Sequence, residues 1–205
     1  MLPALDKLLI CPFCKGEKPI MQLMSGNTFG GSIRSDLKRE YPMLPQPSPV
    51  QRCPHCGKYY FAYAVESKEG TTQTFDKGEL TYEEITEALT QIEKEDLSVD
   101  DEINLRLLFV HIYNSTYQLP GKENQTLPTR EEQTLFRQQV ERLLAIWEVE
   151  PLARAEFLRE MGQFEECLRI IDSTKFDGSE KYDIALRIRG LANEKSTKVF
   201  MITNR

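Results

Sequence analysis

A chain of 205 residues with 40% hydrophobic and 28% charged side chains can bury one core or two modest ones, which excludes a disordered tail and a membrane bundle. The formal charge of −6 is divided unevenly: residues 1–65 hold eight Lys or Arg against four Asp or Glu, and the remainder hold 18 against 28. With that acidic majority, and with Arg34, Lys38, Arg39 and Arg52 scattered instead of clustered, the pattern argues against a dedicated nucleic-acid binder.

The opening Met1 to Ile10 is apolar but short for a secretory signal, carries Asp6 and Lys7, and runs directly into Cys11-Pro12-Phe13-Cys14. No run is long enough for a membrane span, so a cytoplasmic protein is expected. Five cysteines fit a reducing compartment better than a disulfide framework, and the sequons at Asn114-Ser115-Thr116 and Asn124-Gln125-Thr126 are then accidental.

The second cysteine pair, Cys53-Pro54-His55-Cys56-Gly57, follows some forty residues later. Two Cys-x-x-Cys turns each present two thiolates to one side, and together they make the closed tetrahedron that zinc accepts. Proline stiffens each turn, and Gly57 permits a positive φ after the second pair, where the first has Lys15 followed by Gly16. The expectation is one structural zinc site built from Cys11, Cys14, Cys53 and Cys56, with a rubredoxin-like iron site as the lesser alternative. Four thiolates leave no vacant coordination position, so no catalytic or cofactor-binding residue is assigned to it.

Between the pairs, Ser25-Gly26-Asn27-Thr28-Phe29-Gly30-Gly31 reads as tight turns, with a ligand-binding loop as the alternative. No phosphate-loop Lys-Ser or Lys-Thr accompanies it. Pro42, Pro45, Pro47 and Pro49 predict a helix-free return to Cys53. Tyr59 to Val65 predicts an aromatic strand that serves as a packing surface instead of a base-stacking platform, with Thr71 to Phe75 pairing back on it through Gly70.

From Thr81 the period becomes helical. Thr81 with Glu84 forms a capping box for a helix burying Tyr82, Ile85, Leu89 and Ile92. Ser98 opens a second helix to about Leu119, apolar on more than one side and closed by Pro120-Gly121; its His111 reads as a core residue with no visible partner. Thr129 with Glu132 caps a third helix through Trp147, and Pro151 starts a fourth. Across Leu152 to Asp172, Ala155, Leu158, Gly162, Phe164, Cys167, Leu168 and Ile171 predict two closely packed antiparallel helices of tetratricopeptide (TPR) type, with Cys167 a small core residue and not a nucleophile. A last helix near Tyr182 to Glu194 precedes an extended Lys198 to Ile202 tail.

Cys11-Pro12-Phe13-Cys14, Ser25-Gly26-Asn27-Thr28-Phe29-Gly30, Pro42-Met43-Leu44-Pro45, Cys53-Pro54-His55-Cys56, Gly162-Gln163-Phe164-Glu165-Glu166 and Thr197-Lys198-Val199-Phe200 carry a resemblance spanning nearly the whole chain. It resembles a bacterial family, of uncharacterised activity, with an N-terminal zinc ribbon and a C-terminal TPR-like region. Cys167 departs from that pattern, which usually has alanine there. The resemblance implies an architecture and no activity.

The expected fold is α+β: a zinc-ribbon β domain over 1–78 with a long insertion between the cysteine pairs, then an all-α antiparallel TPR-like domain over 79–205. No nucleophile, base and orienting group assemble from these residues. The expected function is a non-enzymatic interaction or scaffold protein that binds a protein partner through its helical domain. Nucleic-acid association through the ribbon, and an enzyme with its site beside Asn27 and Thr28, are the alternatives.

Overall fold

The computed structural model describes residues 1–94, 96–119 and 126–202; Pro120-Gly121 and the Asn124-Gln125 portion of the second sequon lie outside them. The described strands are β1 (Leu2–Pro3), β2 (Lys7–Ile10), β3 (Glu17–Ile20), β4 (Leu23–Ser25), β5 (Ser32–Arg34), β6 (Arg39–Glu40), β7 (Val50–Arg52), β8 (Tyr59–Phe61), β9 (Ser67–Glu69) and β10 (Met201–Ile202). The helices are α1 (Tyr82–Ile92), α2 (Val99–Tyr117), α3 (Arg130–Ile146), α4 (Pro151–Glu160), α5 (Phe164–Ser173) and α6 (Ser179–Asn193). Among the described residues no helix is long and apolar enough to cross a membrane.

The chain forms two compact units, one of Met1–Gly31 with Glu40–Leu105 and one of Ser32–Arg39 with Arg106–Arg205. They do not coincide with the boundary expected at 78/79. Helix α1 belongs with the cysteine-bearing unit because the Gln91 side chain substitutes for a neighbouring strand: its Oε1 accepts the Tyr59 amide at 3.0 Å and its Nε2 donates to the Tyr59 carbonyl at 2.9 Å. Tyr59 Oη adds a 2.7 Å hydrogen bond to Glu87. The capping box at Thr81 and Glu84 is present, and Tyr82, Ile85, Leu89 and Ile92 are buried as their spacing predicts.

In the first unit β2 lies between β3 and β9, β1 pairs with β4, and β7 pairs with β8, all antiparallel. The expected pairing of Thr71–Phe75 on the aromatic strand is corrected. β8 stops at Phe61 and takes β7 as partner, while residues 71–75 are gathered around Asp6. That buried carboxylate accepts from Thr72 Oγ1 and the Thr74 amide, both at 2.7 Å, and from Thr74 Oγ1 at 3.2 Å. Burial opposes its ionisation, but these hydrogen bonds hold its carboxyl below the usual range. Tyr59, Tyr60 and Phe61 are core residues; Tyr63 is exposed and donates to Asp101.

The second unit is not all-α, since β5 from the insertion pairs with the C-terminal β10 on one side and β6 on the other. The extended tail foreseen at Lys198–Ile202 thus ends in a strand at Met201–Ile202, and just before it the Phe200 amide donates to Ser35 Oγ at 3.0 Å and the Phe200 carbonyl accepts from the Ser35 amide at 2.8 Å. α3 carries the Thr129–Glu132 capping box, and Phe136 stacks on Tyr113 of α2 with centroids 4.1 Å apart. Pro151 opens α4, and α4 and α5 form an antiparallel hairpin against which α6 packs. Ala155 and Cys167 are fully buried in it. Gly162, at φ +81°, donates to the Arg159 carbonyl and Gln163 to the Leu158 carbonyl, which is the Schellman arrangement that satisfies the last carbonyls of α4.

A buried charged cluster fills this unit. Arg34 forks onto Asp36 through Nε and Nη2 and reaches Ser115 Oγ at 2.7 Å and the His111 carbonyl at 3.2 Å. His111 therefore has a partner after all: Nε2 donates to the Asp36 carbonyl at 2.9 Å, supplied by a segment 75 residues away. Arg159 forks onto Glu156 at 2.8 and 2.5 Å and donates to the Ser196 carbonyl at 2.5 Å. Asn114 of the first sequon is buried and donates to both Asp36 and Glu160 at 2.9 Å, so it is no glycan acceptor in the folded protein.

Two glycines separate backbone from packing effects. Gly190 lies inside α6 with open space where a Cβ would stand, so Gly190→Ala should stabilise by about 0.5–1 kcal/mol. Gly162→Ala forces alanine to a positive φ and should cost about 1 kcal/mol. Thermal melts of the two variants should move in opposite directions.

Candidate metal centre

The cysteine pairs are built alike. Cys11 and Cys53 each end an antiparallel approach, at β2 and β7, and each accepts from the amide four residues on: Lys15 to Cys11 at 3.0 Å and Gly57 to Cys53 at 3.0 Å. Each also donates its own amide to the carbonyl five residues on, Gly16 at 2.9 Å and Lys58 at 2.8 Å. The left-handed residue that closes the turn is Gly57 at φ +74° in one and Lys15 at φ +61° in the other. Lys15 thus occupies the position a glycine would be expected to take, and the following Gly16 answers a different need. A Cβ there would stand 2.4 Å from His55 Cδ2, so Gly16 lets the His55 ring lie against the first turn. His55 Nε2 donates to the Glu17 carbonyl at 3.1 Å, which clasps the second turn to β3.

This clasp brings the four predicted sulfurs together. All four Sγ atoms lie within 4.8 Å of one another, with Cys11 to Cys56 at 3.7 Å and Cys14 to Cys53 at 3.6 Å. A tetrahedron of sulfurs with metal bonds of about 2.3 Å has edges of about 3.8 Å, so the arrangement can hold a single metal ion. Cys11 and Cys53 are buried with Leu9, Ile20 and Tyr60, and Cys14 and Cys56 are exposed. The centre grows out of the small core on one side and meets solvent on the other.

The sulfurs do not hold their protons equally. Burial disfavours the Cys53 thiolate, but the Cys56 and His55 amides and the neighbouring sulfurs pull that thiol down to about 6. The Gly16 amide favours the Cys14 thiolate, yet desolvation and the other three sulfurs push Cys14 up to about 12. Four crowded thiols cannot all ionise without a cation among them. Burial pushes Cys167, the fifth cysteine, up to about 12 and leaves it an inert packing residue.

The glycine loop packs within its own unit. A Cβ on Gly26 would stand 2.4 Å from the Met43 carbonyl, and one on Gly31 would stand 2.2 Å from the Tyr41 ring, so these glycines let the loop lie directly on the Tyr41–Leu44 segment. Asn27 spends its Oδ1 on the Phe29 amide at 3.0 Å, and the Thr28 carbonyl accepts from Gly31 at 2.9 Å. A groove of about 500 Å³ in the same unit is lined by residues such as Leu9, Met21, Leu44, Pro47 and Tyr63, and its lining includes no His, Cys, Asp or Glu.

Among the basic residues weighed from sequence, Arg34 is 1% exposed and committed to Asp36, and Lys38 Nζ lies 3.5 Å from Ser115 Oγ. The buried charged cluster had little sequence signal beyond the local Arg34/Asp36 and Glu156/Arg159 pairs, because the links between its segments span 37 to 81 residues. No protein-family model, curated protein or solved structure matches the chain.

Metal analysis should find one ion per chain, lost in Cys53→Ser and retained in Cys167→Ala. Full occupancy in Cys53→Ser would refute the shared site. Gly16→Ala should displace His55, lowering stability by about 1–3 kcal/mol.

Proposed function

We propose that the protein is a non-enzymatic interaction module whose first unit is stapled by a structural zinc ion and whose helical unit binds a protein partner. The observation that carries the reading is the closed set of four sulfurs presented by two matching turns. Such a donor set leaves no coordination position for water or substrate, and borderline-soft zinc favours it without ligand-field preference. The short strands around it bury little apolar surface, so metal binding supplies much of their folding free energy. A four-thiolate iron complex would colour the protein and a zinc one would not, so the visible absorption spectrum separates the two.

The partner surface is assigned to α6, where Tyr182 and Leu186 stand one turn apart and exposed. The α4–α5 hairpin, with its buried Ala155 and Cys167 and its glycine turn, is read as one TPR-like unit. Reduced thiols at a zinc site fit a cytoplasmic setting. The engagement of Arg34 within the protein weighs against the nucleic-acid alternative, and the turn role of Asn27 weighs against an enzyme site at the glycine loop.

The zinc-loaded protein should retain a discrete protein from its native lysate through a high-salt wash. Tyr182→Ser with Leu186→Ser should cut that retention at least tenfold, since each apolar anchor contributes about 1.5–3 kcal/mol when buried. Retention of nucleic acid that salt releases would transfer the function to the ribbon.

A further inference from the structure

We propose that the Glu160 carboxyl is a proton-operated latch on the Ser32–Arg39 segment: protonated, it closes a hydrogen-bond bridge through Asn114 to Asp36, and ionised, it loosens that segment from the helices. The inference rests on the partners within the buried cluster. Two guanidiniums and three carboxylates meet there, and each guanidinium is forked onto one carboxylate, Arg34 onto Asp36 and Arg159 onto Glu156. Glu160, 2% exposed, is the carboxylate left over. Its Oε2 accepts from Asn114 Nδ2 at 2.9 Å, and its Oε1 is buried with no hydrogen-bond partner.

The same Asn114 nitrogen donates to Asp36 Oδ2, also at 2.9 Å, so the two carboxylate oxygens are at most twice that distance apart. Arg34 keeps Asp36 ionised, holding it below the usual carboxylate range against the opposing effect of burial. A second charge on Glu160 would set two anions across one amide with no guanidinium of its own, the Lys38 ammonium lying at Ser115 Oγ on the Arg34 side of the cluster, and a buried site strongly disfavours such an anion. A proton on Glu160 removes both penalties and gives Oε1 a hydrogen to donate. Asn114 Oδ1 and Gln118 Oε1, one turn apart on α2, are both buried acceptors without a donor.

Of the groups around Glu160, burial and the neighbouring carboxylates Glu156 and Asp36 favour its proton, whereas Arg159 and the Asn114 hydrogen bond favour its ionised form. The first set prevails and raises the carboxyl well above the ordinary range. From α2, His111 is kept below its usual range by burial and stays neutral as donor to the Asp36 carbonyl. From α5, Cys167 is held protonated. The end of α6 presents the Ser196 carbonyl to Arg159.

When the segment opens and Glu160 meets water, its carboxyl returns toward the ordinary value of 4.5. Between that value and the raised closed-state one, the closed form holds a proton that the open form releases. Opening therefore becomes up to tenfold easier per pH unit as pH rises, and levels off above the closed-state value. The latch is tight in acid and slack in base.

The test uses the zinc-loaded full chain and reads amide hydrogen exchange at Arg34, Ser35 and Leu37, whose amides bond the Lys38, Phe200 and Arg34 carbonyls. After correction for the intrinsic pH dependence of exchange, wild-type protection should fall by up to tenfold per pH unit between pH 5 and 9. Glu160→Gln, which carries a permanent neutral amide, should be flat across that range and better protected at pH 9. Parallel profiles for the two proteins would overturn the latch. A carboxyl carbon-13 titration of wild-type Glu160 needs no variant to fold: a proton retained at pH 5 supports the latch, and a carboxylate already ionised there overturns it. Protection governed by sodium or potassium concentration instead of pH would also overturn it, because the orphaned oxygens would then be holding a cation.

Discussion

The return of Cys53 and Cys56 to the side of Cys11 and Cys14 is the constraint on which the first unit depends. Its strands are two to four residues long, and hairpins of that size are marginal in water without something to join them. Loop closure over some forty residues costs conformational entropy before any contact rewards it. The devices that offset this cost lie in the turns themselves: paired amide bonds around each cysteine, a left-handed residue closing each turn, and the His55 ring clasped over Gly16 to the Glu17 carbonyl. A cation among the sulfurs would offset the desolvation and sulfur crowding that otherwise push Cys14 up to about 12.

The cysteine geometry and the helices were legible in the sequence because both signals are local. A Cys-x-x-Cys turn determines its own backbone, a capping box places a helix start within a residue, and three- and four-residue spacing marks the buried face of α1. What was not legible depended on distant partners. The strand propensity of Tyr59–Val65 is real, but β7 takes its first three residues and the chain turns at Ala62. Thr71–Phe75 reads as a strand by composition, and the Asp6 carboxylate claims its donors first.

The insertion between the cysteine pairs exposes the deepest limit of local reading. From sequence it was a long insertion within the ribbon, with Arg34 and Lys38 as scattered basic residues. In the structure Ser32–Arg39 belongs to the helical unit, and the Arg34 side chain is interior. His111 showed no partner within its own helix because the group it meets is a backbone carbonyl from this segment. No propensity or periodicity encodes such a pairing, since neither partner carries a signal on its own.

The buried charges that hold the segment are unlikely candidates for stability alone, because desolvating two guanidiniums and their carboxylates offsets most of what their attraction returns. Their value lies in register. Among the described residues β5 and β10 pair at Arg34 with Met201 and Ile33 with Ile202, with two further bonds between Ser35 and Phe200, and so short a ladder resists a slip weakly. A slip of one residue would turn Arg34 to the opposite face and leave Asp36, Ser115 and the His111 carbonyl without their shared donor. Asp36 would keep its Asn114 donor and the His111 carbonyl its Ser115 donor, but the guanidinium itself would be parted from its carboxylate, at a desolvation cost. An apolar residue at position 34 would tolerate several alignments almost equally, whereas a forked guanidinium with three partners tolerates one. The insertion and the C-terminal strand are thus aligned less by their short ladder than by the side chain at its centre.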